Sequence, residues 1–361
     1  MSFTLSFGLG RERIALPVMT RPGERNLITD VAGLKVGQSE DFDVRTGVTV
    51  VLADQAVAAA VDVRGGAPGS RETEALDPVS LGGMIDAIAL SGGSVYGLDA
   101  ASGVMAWLGA RGRGVRIFEG APPAPIVPGA IIFDLANGGD KSWGEMPPYR
   151  ALGLTAVERA GVDFALGNAG AGLGARAGIY KGGTGSASAV TRDAFTVGAL
   201  AIVNAIGSPL IPGTDVFWAF AFEQSGEFGG RRLQGDLPQL DLDLPQDMKG
   251  PPRAGANTTI AIVATDAALT RIELKRMAIM AADGFARALR PVHAPFDGDT
   301  VFALSTAKKP IGEPRGIDVM RMGSLAADCL ARAIARGVYE AQTLGVTASY
   351  RDVFTKGRNG S

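Results

Sequence analysis

From Gly255 to Thr265 the chain reads Gly-Ala-Asn-Thr-Thr-Ile-Ala-Ile-Val-Ala-Thr, so an Asn257–Thr258 bond stands where a turn-rich approach gives way to a strongly β-forming run. Such a run enters a sheet, and the remaining elements are arranged around it. Taken alone, Thr258 is an ordinary strand-opening residue. What precedes it, Asp247-Met248-Lys249-Gly250-Pro251-Pro252-Arg253-Ala254-Gly255, is a polar, turn-rich segment of the kind that tolerates cutting. That context gives Thr258 a second use. Its hydroxyl can attack the carbonyl of Asn257, and once the bond is cut its free α-amine, near neutral in pKa, can serve as base to its own hydroxyl.

A residue that carries both nucleophile and base needs no histidine, and the chain holds one, His293. Ser-His-Asp and Cys-His mechanisms would have to run through that residue, which reads as structural, and a multi-histidine metal site is excluded. Cys329 stands alone, so no internal disulfide forms, and no C-x-x-C pattern occurs. No metal and no cofactor is expected. A net charge of −2 with mixed signs gives no electrostatic reason for nucleic acid or an anionic membrane as partner. No apolar stretch reaches the length of a membrane span, and Met1–Gly8 lacks a basic region followed by an apolar one, so a cytoplasmic location is expected. With 46% hydrophobic residues, 361 positions can bury one large core or two modest ones.

In chain order, Asn26–Val31 and Leu34–Gln38 read as short strands joined by a turn at Gly33, followed by strands at Gly47–Leu52 and Ala56–Arg64 that end in the Gly65-Gly66 turn. Met84 to about Leu108 reads as strand, Gly-rich turn and helix. The turn, Ser91-Gly92-Gly93-Ser94, exposes backbone N–H groups able to hold a phosphate or a developing oxyanion, although Tyr96 spoils the nucleophile-elbow pattern. Gly129–Leu135 reads as a buried strand leading to the polar loop Asn137–Trp143, a site-lining segment unless Trp143 and Tyr149 only cover core. Gly167–Gly174 lacks the surroundings of a dinucleotide-binding loop. Lys181, among glycines, has the setting of a solvated loop residue.

Phe195–Gly207 is an apolar, strand-like run carrying one amide, Asn204, which either bonds within its own turn or donates to an oxyanion. Gln234–Arg253 is polar and Pro-rich, the best linker in the chain. Thr270-Arg271-Ile272-Glu273 forms a capping box opening a helix to about Leu289, and a second helix spans Ser324 to about Ala341. Between them, Asp297-Gly298-Asp299 leads into the strand Thr300–Leu304. Paired acids across a Gly at a strand start can orient a hydroxyl and an ammonium, or form a plain turn.

Asn257-Thr258-Thr259, the Asp297–Thr300 loop about forty residues on, Asn204 and the Ser91–Gly97 turn together resemble the self-cleaving hydrolases of the DmpA type. The resemblance runs from about Asn26 to Ala341. It implies an α/β protein, a layered αββα sandwich of the N-terminal-nucleophile hydrolase type. The whole chain, residues 1–361, would form one hydrolase domain cut into fragments 1–257 and 258–361, assembled as a tetramer of heterodimers. By position, Thr258 would be the nucleophile, Asp297 and Asp299 would orient it, and Lys181 and Asn204 would line the site, Asn204 as oxyanion donor. Tyr149 or Trp143 would supply an aromatic, and Gly93 and Ser94 would contact substrate. Aminopeptidase members carry Ser with a Ser-x-Glu pair, whereas Thr258 with Asp297-Gly298-Asp299 points to the nylon-oligomer branch, whose substrates are small or oligomeric linear amides. An aminopeptidase releasing N-terminal D- or β-amino acids, an N-acyltransferase using the same Thr, and a non-enzymatic binding protein with an uncut chain are the rival readings.

Overall fold

A computed structural model describes residues 20–235, 243–250 and 257–355. Residues 251–256, just before the Asn257–Thr258 bond, lie outside the described residues, as do the first nineteen, 236–242 in the linker, and the last six. The strands are β1 Thr20–Arg21, β2 Leu34–Asp41, β3 Thr46–Val63, β4 Ser70–Arg71, β5 Met84–Ser91, β6 Gly129–Ile131, β7 Arg176–Ala177, β8 Tyr180–Lys181, β9 Thr184–Thr191, β10 Thr196–Asn204, β11 Thr258–Ala267 and β12 Thr300–Lys309. The helices are α1 Ala100–Gly109, α2 Tyr149–Glu158, α3 Arg271–Ala281, α4 Asp283–Ala288, α5 Arg315–Tyr339 and α6 Tyr350–Phe354.

Ten strands form one continuous sheet in the order β1-β9-β10-β11-β12-β3-β5-β6-β4, with β2 also on β3. The long strand β3 joins two halves of it. Its first part pairs with β2 and β5, its last part with β12, and its register with β5 shifts between Leu52 and Val57. The side chains show what this achieves. Along β10, β11 and β12, Leu200, Ile202, Ile260, Ile262, Phe302 and Leu304 share a core with Val51, Ile88 and Leu90 of the other half. The alternate residues Val197, Ala199, Ala261, Val263 and Val301 face α3, α4 and α5. On the far side, Val48, Val50 and Ala87 pack on α1 and α2. Period-two alternation with apolar residues on both faces requires cover on both faces. The result is an αββα sandwich, as expected.

Individual elements depart from the sequence reading. Asn26–Val31 is no strand: a 3₁₀ turn at Ile28–Asp30 occupies it, with Asp30 carboxylate oxygens accepting from the N–H groups of Arg25 and Leu27. The two strands read at Gly47–Leu52 and Ala56–Arg64 are the single β3, because the residues between them form a bulge rather than a turn. The capping box is present, with Thr270 Oγ1 accepting from Glu273 N–H and Glu273 Oε2 accepting from Thr270 N–H. The helix it opens stops at Ala281 and resumes as α4. Helix α5 begins nine residues earlier than read, since Val319 and Met322 extend its buried stripe and Pro314 sits at its start, where a missing N–H costs nothing.

Candidate active site

The ends of three central strands meet at one edge of the layer between the two half-sheets. Asn204, last in β10, pairs across from Thr258, first in β11. Asn257 pairs in parallel with Asp297, just ahead of β12. Cross-strand partners project from the same face, so Asn204 and Thr258 point the same way. Asn257, Thr258, Asn204, Asp297 and Asp299 are all exposed by 2% or less.

Around the Asn257–Thr258 bond, the Asn257 carbonyl oxygen accepts two hydrogen bonds, one from Gly298 N–H at 2.9 Å and one from Thr258 Oγ1. The first is a backbone donor placed where negative charge collects if that carbonyl is attacked. Asp299 holds the neighbouring strand in place. Its Oδ1 accepts from Thr259 N–H at 2.8 Å, and its Oδ2 accepts from His293 N–H at 3.1 Å and contacts His293 Nδ1 at 2.9 Å. The sole histidine therefore buttresses a site carboxylate, a role its sequence setting did not reveal. Asp297 accepts from Ala294 N–H at 2.9 Å, while its Oδ1 has no partner among the described residues. Burial first, and then the charge of Asp299, push its carboxyl up to about 7, against the Ala294 hydrogen bond, the neighbouring Ile206 backbone and the nearby Lys249 ammonium. Asn257 Oδ1 and Thr259 Oγ1 are likewise buried without a partner. Three such atoms beside one peptide bond are unusual in a packed interior.

A cavity of about 690 Å³ opens beside Asn257, lined by Asp134, Arg176, Lys181, Asn204 and Lys249 and, on another side, by Leu344–Thr347. Lys181 is not the solvated loop residue its glycine neighbours suggest. It is 2% exposed, and its Nζ donates to the carbonyls of Gly172 at 3.0 Å and Gly182 at 2.7 Å. Burial pulls its ammonium down to about 7, opposed by Asp134. Asn204 does not bond within its own turn either: its Oδ1 accepts from Arg176 N–H at 3.1 Å and Lys249 Nζ at 3.0 Å, and its Nδ2 donates to Phe133 O at 3.2 Å.

The remaining sequence-derived residues lie off this cavity. Gly93 N–H is committed to Asp134 Oδ1 at 2.7 Å, so it is not a free oxyanion donor, and Ser94 N–H donates to Ile132 O at 3.0 Å. Tyr149 is buried in the core against α1, its ring lying where a side chain at Gly93 would go. Trp143 packs edge-on between Tyr96 and Tyr149, at 5.7 and 5.9 Å between ring centres. Neither aromatic lines the cavity. Asp134 links the two regions, accepting from Gly93 N–H and, at 2.6 Å, from Thr46 Oγ1, with its pKa raised by burial. Asp134, Arg176, Lys249 and Gly298 were not singled out from sequence. The Asp-Gly-Asp spacing offered a signal for Gly298. The others come from segments far apart in the chain.

No group of His, Cys, Asp and Glu suited to a metal occurs among the described residues, and no helix there is long and apolar enough to cross a membrane. The model of peptidase family S58 matches residues 26–351. An uncharacterized aminopeptidase of Mycobacterium tuberculosis is 45% identical over 350 residues, covering 91% of this chain and 98% of that one. A 6-aminohexanoate-oligomer endohydrolase of Agromyces is 29% identical over 341 residues, covering 90% and 89%. Among solved structures, the L-aminopeptidase D-Ala-esterase/amidase of Ochrobactrum anthropi, described as a variant of the Ntn hydrolase fold, superposes with a TM-score of 0.66 at 21% identity over 92% of this chain and 90% of that one.

Proposed function

Because the chain belongs to peptidase family S58 and is an amide hydrolase of the DmpA-type, N-terminal-nucleophile class, we propose that Thr258 is its nucleophile and that the chain activates itself by cutting the Asn257–Thr258 bond. The observation that carries this reading is the geometry of that bond. Thr258 Oγ1 is held on the Asn257 carbonyl, and Gly298 N–H is already donating to the same oxygen. In the first reaction Thr258 Oγ1 adds to the Asn257 carbonyl carbon, the C–N bond breaks as the Thr258 nitrogen takes a proton, and the resulting ester is hydrolysed by water. In the mature enzyme the freed α-amine takes the Thr258 hydroxyl proton as that oxygen attacks a substrate amide, then passes it to the departing amine, and water releases the acyl group. Gly298 N–H and the uncommitted N–H of Asn204 Nδ2 steady the oxyanion. Asp299 fixes the strand through Thr259, and Asp297, next to Thr258, orients the ammonium that cutting creates. Lys181 lines the cavity as a buried amine held by the Gly172 and Gly182 carbonyls.

Linear amides of the 6-aminohexanoate-oligomer type or peptides are the substrate class, supported by Thr258 and the Asp297–Asp299 pair together with the endohydrolase relative. Release of N-terminal D- or β-amino acids is the second reading, and the more similar relative's name supports only its aminopeptidase part. Comparing kcat/KM on free and N-blocked linear amides separates the two, and an added amine acceptor exposes acyl transfer in the products. Assembly as a tetramer of cut heterodimers belongs to the same proposal and is read from native mass.

Denaturing intact mass tests the core of it. Wild type at 37.1 kDa is expected to give fragments of about 26 and about 11 kDa, and Thr258→Ala to stay whole. Active wild-type protein that remains a single chain would return Thr258 to being a strand residue.

A further inference from the structure

The segment ahead of the Asn257–Thr258 bond is more than a linker, because its described part is tied to the site. The Asp247 carbonyl accepts from Ile179 N–H at 3.0 Å, Ser208 Oγ donates to Asp247 Oδ2, and Lys249 N–H donates to Ile206 O at 2.8 Å. These bonds deliver Lys249 Nζ onto Asn204, 3.0 Å from Oδ1 and 3.2 Å from the main-chain oxygen. Arg176 N–H takes the other side of Oδ1 at 3.1 Å. With both lone pairs of that oxygen occupied by donors, reversing the amide would set an NH₂ group against an N–H and an ammonium. The Nδ2 end must then face the other way, toward Phe133 O, with one N–H left over on the face shared with Thr258.

Resting on the reading of Thr258 as nucleophile, we propose that Lys249 is a positioning residue that locks the Asn204 side-chain amide with its donor end toward the reacting carbonyl. It acts through Asn204 and touches no reacting atom. Lys249 remains in the larger fragment after cutting, so the same lock serves both self-cleavage and turnover. The site surroundings agree with a load-carrying contact of this kind. Lys249 is half-buried at the cavity wall, where desolvation and then the charge of Arg176 draw its ammonium down to about 7, with Asp297 opposing, and either form of the amine keeps an N–H to give to Asn204.

The full chain carrying Lys249→Ala provides the test, with the rate of fragment appearance followed by intact mass and turnover followed on an aminoacyl p-nitroanilide. Cutting and kcat are each expected to fall about ten-fold or more while KM changes less than about two-fold, because the Asn204 donor is no longer held in aim at the transition state. Ethylammonium is expected to restore part of the rate, and tetramethylammonium, which cannot donate, none of it. In the Asn204→Ala background, Lys249→Ala is expected to add nothing further. Independent, multiplying losses in the double variant would overturn the proposal, as would Lys249→Ala cutting and turning over at the wild-type rate. Should the Ala variant not fold, Lys249→Met keeps the apolar stem without the donor and Lys249→Arg keeps a donor. Rates near wild type for Met, or equal losses in both, count against the lock. A wild-type chain that is never cut defeats the nucleophile reading itself. A cut wild type beside an unaffected Lys249→Ala defeats this proposal alone.

Discussion

Gly298 is closed to every side chain. A Cβ there would stand 2.7 Å from Thr258 Oγ1 and 3.0 Å from the Ala67 carbonyl, so the backbone N–H on Asn257 can come this close only because the residue is glycine. Gly298→Ala is expected to cost about 1–3 kcal/mol by denaturant midpoint and to slow cutting, since relief of the clash moves the donor off the carbonyl. Two buried titrating groups set opposite pH slopes. The Asp297 carboxyl is raised, so between about 4 and 7 the folded state holds a proton that the unfolded chain has released, and stability falls as pH rises through that window. Lys181 is depressed, so between about 7 and its ordinary value the unfolded chain holds the extra proton, and stability rises with pH. Asp297→Asn should reduce the first limb, to which buried Asp134 also contributes, and Lys181→Met the second, to which Lys249 contributes in the same sense, in urea titrations repeated across pH. The Asn257–Thr258 pair and the Asp297-Gly298-Asp299 run could each be singled out because the members of each are adjacent or nearly so in sequence. Lys249 was not, because its partner lies forty-five residues away and only the fold brings them together.

Elements that pack by ordinary periodicity could be read directly, whereas those shaped by a single neighbour could not. The runs that became β10, β11 and β12 announced themselves by apolar content, and α3 by its capping box. The unity of β3 stayed hidden because a bulge and a turn use similar residues, and which one forms depends on whether partner strands continue alongside. Helix α5 lies unusually close to β9: a Cβ at Gly185 would be 1.9 Å from the Ala333 carbonyl. That approach places Arg332, buried in α5, on Glu227 at 2.6 and 3.0 Å and on Asn26 Oδ1 at 2.8 Å. Removing the guanidinium strips the buried Glu227 carboxylate of its two closest cationic donors, leaving Asn26 Nδ2, Gln224 N–H and the more distant Arg336 at 3.8 Å. Arg332→Ala is expected to destabilise by about 3–5 kcal/mol, read as a fall in the urea midpoint with the slope unchanged.

At the scale of the molecule, the bond proposed for cutting lies at the start of a central strand. β11 is flanked by β10 along the whole register from Val197–Thr265 to Asn204–Thr258 and by β12 on its other side. Severing Asn257 from Thr258 removes none of those pairings, so both fragments are expected to co-migrate in native mass and to part only in denaturant. The placement of β11 also gives the molecule a memory. The arrangement around that bond exists only after β10, β11 and β12, well separated in the chain, have met, so each bond cut as proposed would certify one completed folding event. Were the proposed cut made, the route back would differ: what assembled as one chain could be rebuilt only by collision of two, and recovery from denaturation would become dependent on concentration and slower with every dilution.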